Sequence, residues 1–168
     1  MKKSVFIMGI FLLYLGICLT SLCSASSNFT VVDNIHDFEL EIGETLPANF
    51  FEISKSSETV QIGTNKFVQG YNIKAKGIKY KIGVDESMVI IFISTDDRKF
   101  TTPEKVKPGM KFMDAMEIST QFPDSKLIIE KGWAGVIPLQ SGWNAAVLLD
   151  KSDGFSMFDK IAFVFKRK

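Results

Sequence analysis

The sequence predicts an α+β protein of two tandem units, each a short helix followed by a three-stranded antiparallel sheet, with the helices on one sheet face. Three observations predict it. A glycine turn leading into Glu-Ile-Ser occurs twice, as Gly43 to Ser54 and Gly109 to Ser119, with the tripeptides 65 residues apart and the glycines 66 apart. Apolar residues at helical spacing come after each turn. Farther on, Gly70-Tyr71 answers Gly132-Trp133, Gly77-Ile78 answers Gly142-Trp143, and the apolar run 89–93 answers 161–165.

The first 25 residues stand outside this plan. Lys2 and Lys3 precede an apolar stretch from Val5 to Leu22, and Cys23 and Ala25 occupy the small-residue positions of a cleavage site. That is the pattern of a secretory signal peptide cut after Ala25. The alternatives are an uncleaved membrane anchor, since the stretch approaches spanning length, and a lipoprotein modified at Cys18 or Cys23. Against the second, Ile17 and Leu22 stand where a small residue belongs. Removing 25 of the 168 residues leaves 143, takes away both cysteines and, with Lys2 and Lys3 gone, moves the net charge from +1 to −1. Such a product has no disulfide and no thiol chemistry, and must be held by its core.

The first unit is expected over 26–95. Leu46, Phe50 and Ile53 fall on one helical face, with Thr45 as cap and Pro47 in the first turn. Then 71–76 and 78–84 alternate. Tyr71, Ile73, Ala75, Ile78, Tyr80, Ile82 and Val84 share one face, and Lys74, Lys76, Lys79 and Lys81 share the other. An antiparallel hairpin packed on one side and wet on the other reads this way. Met88 to Ile93 is apolar enough for an interior strand.

The second unit is expected over 96–168, packed with the first as one globular body. The polar connector from Ser94 to Pro108 carries little Gly or Ser and reads as packed, not as a floppy linker. Phe112, Met113 and Met116 make the second helical stripe, ending at Phe122-Pro123, and Lys160 to Phe165 reads as the second interior strand. Asp85 to Ser87 and Asp150 to Gly154 read as turns.

The stretch Thr102 to Met116, and within it Lys107-Pro108-Gly109-Met110, resembles the start of the beta-lactamase-inhibitory-protein-like fold and of the small outer-membrane-assembly lipoproteins. The resemblance implies helices on one face of a sheet whose other face can bind a protein. This chain departs from it at Glu41 to Glu44, in having no counterpart of the inhibitor's disulfides, and in its poor lipobox.

Chemistry-bearing patterns are sparse. The near balance of 20 basic against 19 acidic residues argues against an obligate nucleic-acid binder. His36 is the sole histidine and sits in a polar stretch, Asp33 to Asp37, while Ser141-Gly142 lacks a nucleophile elbow. Asp37, Glu39 and Glu41 alternate as solvent-facing carboxylates do, and neither Asp96-Asp97 nor Asp150 to Gly154 completes a calcium loop. No phosphate-cradling glycine loop comes after a strand. The sequence therefore predicts no catalytic residue, no metal and no cofactor.

Two surface features remain as candidate binding residues. One is the lysine stripe of Lys74, Lys76, Lys79 and Lys81, and the other the aromatic set Tyr71, Tyr80, Trp133 and Trp143. Trp and Tyr anchor interfaces, and Trp143, just after a turn, is the one expected to be partly exposed. The expectation is an exported bacterial envelope protein, periplasmic or extracellular, that acts without catalysis as a protein-binding or inhibitor-like module through an open sheet face. An alternative is binding of an anionic envelope polymer to the lysines. A third reading, a cell-wall hydrolase, would require His36 or the Asp37, Glu39, Glu41 set.

Overall fold

The computed structural model of the chain describes residues 29–33, 39–50, 54, 57–122, 126–150 and 152–168. Among them are nine strands and one helix. The strands are β1 (Thr30–Val31), β2 (Glu58–Gly63), β3 (Lys66–Ala75), β4 (Ile78–Val84), β5 (Ile90–Thr95), β6 (Ile128–Glu130), β7 (Ala134–Pro138), β8 (Asn144–Leu148) and β9 (Phe163–Arg167). The helix, α1, spans Phe112–Thr120.

All nine strands join one sheet in the order β1-β3-β4-β5-β9-β8-β7-β6, with β2 also paired to β3. Only β1 runs parallel to its neighbour. This corrects the expected fold class. The molecule is mostly β, a continuous nine-stranded sheet with a single nine-residue helix among the described residues, and not a tandem repeat of a helix plus three strands. Three strands, β1, β2 and β6, lie beyond the three expected in each unit, and β5 pairs directly with β9 across the middle. Of the expected first helix, residues 46–50 are described, with a turn at 48–49 and Phe50 helical, and Ile53 lies outside the described residues. Thr45, its expected cap, instead forms an isolated bridge to Val89.

The glycine recurrence in the sequence marks a pair of turn clasps. Gly43 has φ of 98° and its N–H donates to the Ile90 carbonyl (2.8 Å); Gly109 has φ of 85° and its N–H donates to the Ile161 carbonyl (2.7 Å). In return Ile90 donates to Glu44 and Ile161 to Met110, at 2.8 Å each. Left-handed φ is cheap only for glycine, so both turns need it. The clasps consume the backbone groups at 88–90 and 159–161, which is why the strands there start later than the apolar runs do.

Alternation sorts the side chains onto two faces. On the first, Tyr71, Ile73, Ile82, Ile90 and Ile93 pack with Leu46 and Phe50. On the same side, Ile137, Ala145, Val147 and Val164 pack with Phe112 and Ala115 of α1. The helix forms because Phe112, Ala115 and Ser119 fall on one buried face, and Ser119 Oγ donates to the Pro138 carbonyl of β7 (3.2 Å). Asp114 in its first turn suits the dipole.

The opposite face has its own core of Val60, Phe92, Trp133, Ala134, Val136, Ala146 and Phe165. It exists because β2 folds over the sheet. Gly70 and Gly83 leave room for that approach: a Cβ on Gly70 would lie 2.3 Å from both the Ile82 carbonyl oxygen and Val60 Cγ2, and one on Gly83 would lie 2.6 Å from Val68 Cγ2.

The tip of the β2–β3 hairpin then reaches the β6–β7 turn. Gln61 Nε2 donates to the Gly132 carbonyl (3.2 Å) and Thr64 Oγ1 to the Lys131 carbonyl (2.9 Å). Arg167 closes the seam, donating to the Ile62 carbonyl (3.1 Å) and forming a two-pronged ion pair with Glu130. Its guanidinium lies 5.3 Å from the Trp133 ring centroid and 5.4 Å from that of Phe165.

The connector is packed. Val106 and Thr102 are buried, and Thr102 Oγ1 accepts the Val106 N–H (3.2 Å). Glu104 clamps the connector to the β7–β8 turn by accepting from both the N–H and the hydroxyl of Ser141. Burial pushes its carboxyl up, but the Ser141 hydrogen bonds outweigh that and hold it below the ordinary glutamate range.

Candidate functional site

The β3–β4 hairpin places the lysines. Lys76 and Gly77 form its two-residue turn, with φ of 51° and 76°, between the paired residues Ala75 and Ile78. Lys76 is therefore a turn residue, and its N–H donates to Asp33. The other three lysines share the face opposite Tyr71 and Ile82. Lys74 stands directly across from Lys79, and the next pair on this face is Asn72 across from Lys81. The row continues through Ser94 of β5 to Phe165 of β9, by the Lys81–Ser94 and Ser94–Phe165 pairings.

The aromatic candidates divide between the faces. Tyr71 is buried, its ring edge-on to Phe50 at 5.1 Å, and its hydroxyl accepts from Gln69 Nε2 (2.8 Å). Burial raises its phenol above the ordinary tyrosine value, against the Gln69 hydrogen bond. Tyr80 meets Phe100 edge-on at 6.0 Å; burial, then the charge of Asp97, raises its phenol. Trp143 is half-buried on this same side, 4.6 Å from Phe100, with the Lys166 ammonium 5.4 Å from its ring. Trp133 lies on the other side, packed on Phe92 (6.5 Å), Phe163 (5.9 Å) and Phe165 (5.1 Å). So the structure brings Trp133, not Trp143, to the face that carries the lysines.

There Trp133 shares a cleft of about 520 Å³ with Lys79 and Lys81, and Lys74 stands outside its lining. Phe92, Trp133, Leu148, Ala162 and Phe163 line it together with Lys79, Lys81, Asn72 and Ser94, under the overhang formed by Thr59, Val60 and Gln61. Lys81 pairs with Glu58 at its edge (3.1 Å), and the Lys79 ammonium sits 4.9 Å from the Phe29 ring centroid. Asp97 accepts the N–H groups of Lys99 (3.0 Å) and Lys79 (3.3 Å); the Lys99 contact leads in holding its carboxyl low, and the charges of Lys99 and Lys79 act in the same direction. The volume lies in the range of small-ligand sites.

A second cavity of about 750 Å³ lies on the Trp143 side, lined by Leu40, Ala75, Tyr80 and Trp143 with Asp33, Glu39 and Glu41. His36 and Asp37, the other candidates for hydrolytic chemistry, lie outside the described residues. Asp150 serves its turn, accepting from Ser152 Oγ (2.7 Å) and the Gly154 N–H (2.9 Å), with the Ser152 hydroxyl leading in lowering its carboxyl. Among the described residues no three His, Cys, Asp or Glu side chains are grouped to hold a metal ion, and no helix is long and apolar enough to cross a membrane.

Sequence reasoning missed Phe163, Leu148, Phe92, Asn72 and Ser94 as cleft residues. The alternation of Phe163 with Phe165 was a usable signal. The meeting of β5 with β9, which sets Phe165 opposite Ser94 and so puts Phe163 two residues along on the same face, was not.

Comparison of the chain with protein-family models, with curated proteins and with solved structures finds no match.

Proposed function

We propose that this chain is an exported, non-catalytic binding module whose lysine-bearing sheet face receives an acidic surface of another envelope or extracellular protein. One observation carries the reading: Lys74, Lys79 and Lys81 stand on the same face as, and beside, a cleft floored by Trp133, Phe92 and Phe163. Aromatic floor and cationic rim are the two parts of a specific interface, the first supplying burial and the second orientation and rate of encounter. The groups that line the cleft are the amines of Lys79 and Lys81, hydroxyls, the amides of Gln61 and Asn72, aromatic rings and a single carboxylate, Asp96, a set that holds ligands more readily than it moves protons.

The test is capture of partners from envelope extract on the immobilised chain lacking residues 1–25. Changing Lys74, Lys79 and Lys81 together to Glu should abolish capture, and Trp143→Ala, on the opposite face, should leave it intact. Unchanged melting by circular dichroism shows that the triple variant is folded. Capture that survives the triple reversal overturns the reading. Capture lost for the wild type at about 0.5 M salt, where charges are screened within a few ångströms, would assign the face to an anionic polymer instead.

A further inference from the structure

We infer that the cleft beside the lysines is a site for a small anionic amphiphile, with a carboxylate or phosphate head at Lys79, at the cleft's edge toward its cross-strand neighbour Lys74, and a hydrocarbon tail along Trp133, Phe163 and Leu148. This uses the face proposed above for a protein partner but goes beyond that reading, and it stands or falls separately.

Shape comes first. The overhanging β2 makes the site a cleft of about 520 Å³ instead of a flat sheet, a size suited to a single chain of about ten carbons and its head group. Apolar groups face water inside it: Leu148 is 59% exposed and Phe163 is only half-buried, although both border the rings of the second core. A tail laid there covers apolar surface that the fold leaves open.

Charge fixes the other end. Lys74 and Lys79 face each other directly across β3 and β4, a like-charged cross-strand pair that costs stability. Neither makes an ion pair among the described residues, whereas the neighbouring Lys81 is matched by Glu58. The carboxylates nearby are Asp96, which lines the cleft, and Asp97, which accepts two main-chain N–H groups and feels the Lys79 charge without forming an ion pair with it. An anion seated between Lys74 and Lys79 relieves their repulsion, and the Asn72 amide on the same face offers a hydrogen bond, the Ser94 hydroxyl being spent on the Lys81 carbonyl. A cationic or neutral head gains nothing there, so head charge is the specificity-determining feature.

The experiment titrates the chain lacking residues 1–25, carrying Trp143→Phe so that Trp133 alone reports, with decanoate and decyl phosphate below their micellar concentrations. Decyltrimethylammonium and decyl maltoside are the controls. Saturable binding of the anionic probes with a blue-shifted Trp133 emission is expected, weakened at least tenfold by Lys74→Gln with Lys79→Gln and likewise by Leu148→Glu. A calorimetric titration of the Trp143-containing chain should return the same affinities. Equal binding of the cationic or neutral probe, binding that survives both variants, or no binding at all overturns the inference. In the last case lysine-dependent capture of a protein would still stand, and in the converse case the amphiphile site stands while the protein reading fails.

Discussion

Gly70→Ala should cost at least about 3 kcal/mol, the upper range for overpacking a closed core, and thereby much of the stability of a domain this size. The new methyl would sit 2.3 Å from the Ile82 carbonyl oxygen, a main-chain atom fixed in the β3–β4 ladder, and 2.3 Å from Val60. Neither can yield without lifting β2 off the sheet, which would open the second core and remove one wall of the cleft. Gly132→Ala is the comparison. Nothing lies within 4 Å of its Cβ position, and its φ of 71° carries a conformational cost of only about 1–2 kcal/mol. Urea denaturation of both variants checks the ordering. Equal losses would mean that β2 does not lie against Gly70.

Arg167→Ala should destabilise by about 2–4 kcal/mol, because it strands the largely buried Glu130 carboxylate as well as removing contacts. The guanidinium ties three strands: it pairs with Glu130 of β6, donates to Ile62 of β2, and covers Trp133 and Phe165. Its removal should red-shift Trp133 emission and leave Trp143 unchanged. Arg167→Lys keeps the charge but not the two-pronged geometry, and should recover less than half of the loss. A thermal melt with tryptophan emission reads both effects. A variant as stable as wild type would show that the hairpin tip and the β6–β7 turn hold together without this residue.

The β3–β4 hairpin was legible because period-two alternation is local: Tyr71, Ile73 and Ile82 point inward, while Lys74, Lys79 and Lys81 point outward, as their spacing demands. Lys76 broke the pattern because Gly77 made it a turn residue, and the Lys-Gly pair between two alternating runs was the cue. The overhang of β2 was not legible. It rests on Gly70 and Gly83 being small where two layers touch, and a glycine inside a strand looks like any turn marker in the sequence.

The division of the two tryptophans was hidden for a different reason. Whether Trp133 and Trp143 share a face depends on the register of β6 through β9, which non-local pairing decides. The helix-plus-sheet units failed because landmarks such as Gly43 and Gly109 specify the clasp to the strand ahead of the seam, and carry little information about the chain beyond each turn. Glu130 and Arg167 lie 37 residues apart, with no pattern to link them before the sheet curls.

The central claim is that ligands enter on the lysine face. The chain contains only two tryptophans, one for each face, so their indole N–H resonances report directly which face is used. Titrating decyl phosphate into ¹⁵N-labelled protein should shift the Trp133 indole and the amides of Asn72, Lys79 and Ser94 while the Trp143 indole stays in place. A shift of Trp143 with the amides of Leu40 and Ala75, and none at Trp133, would contradict it.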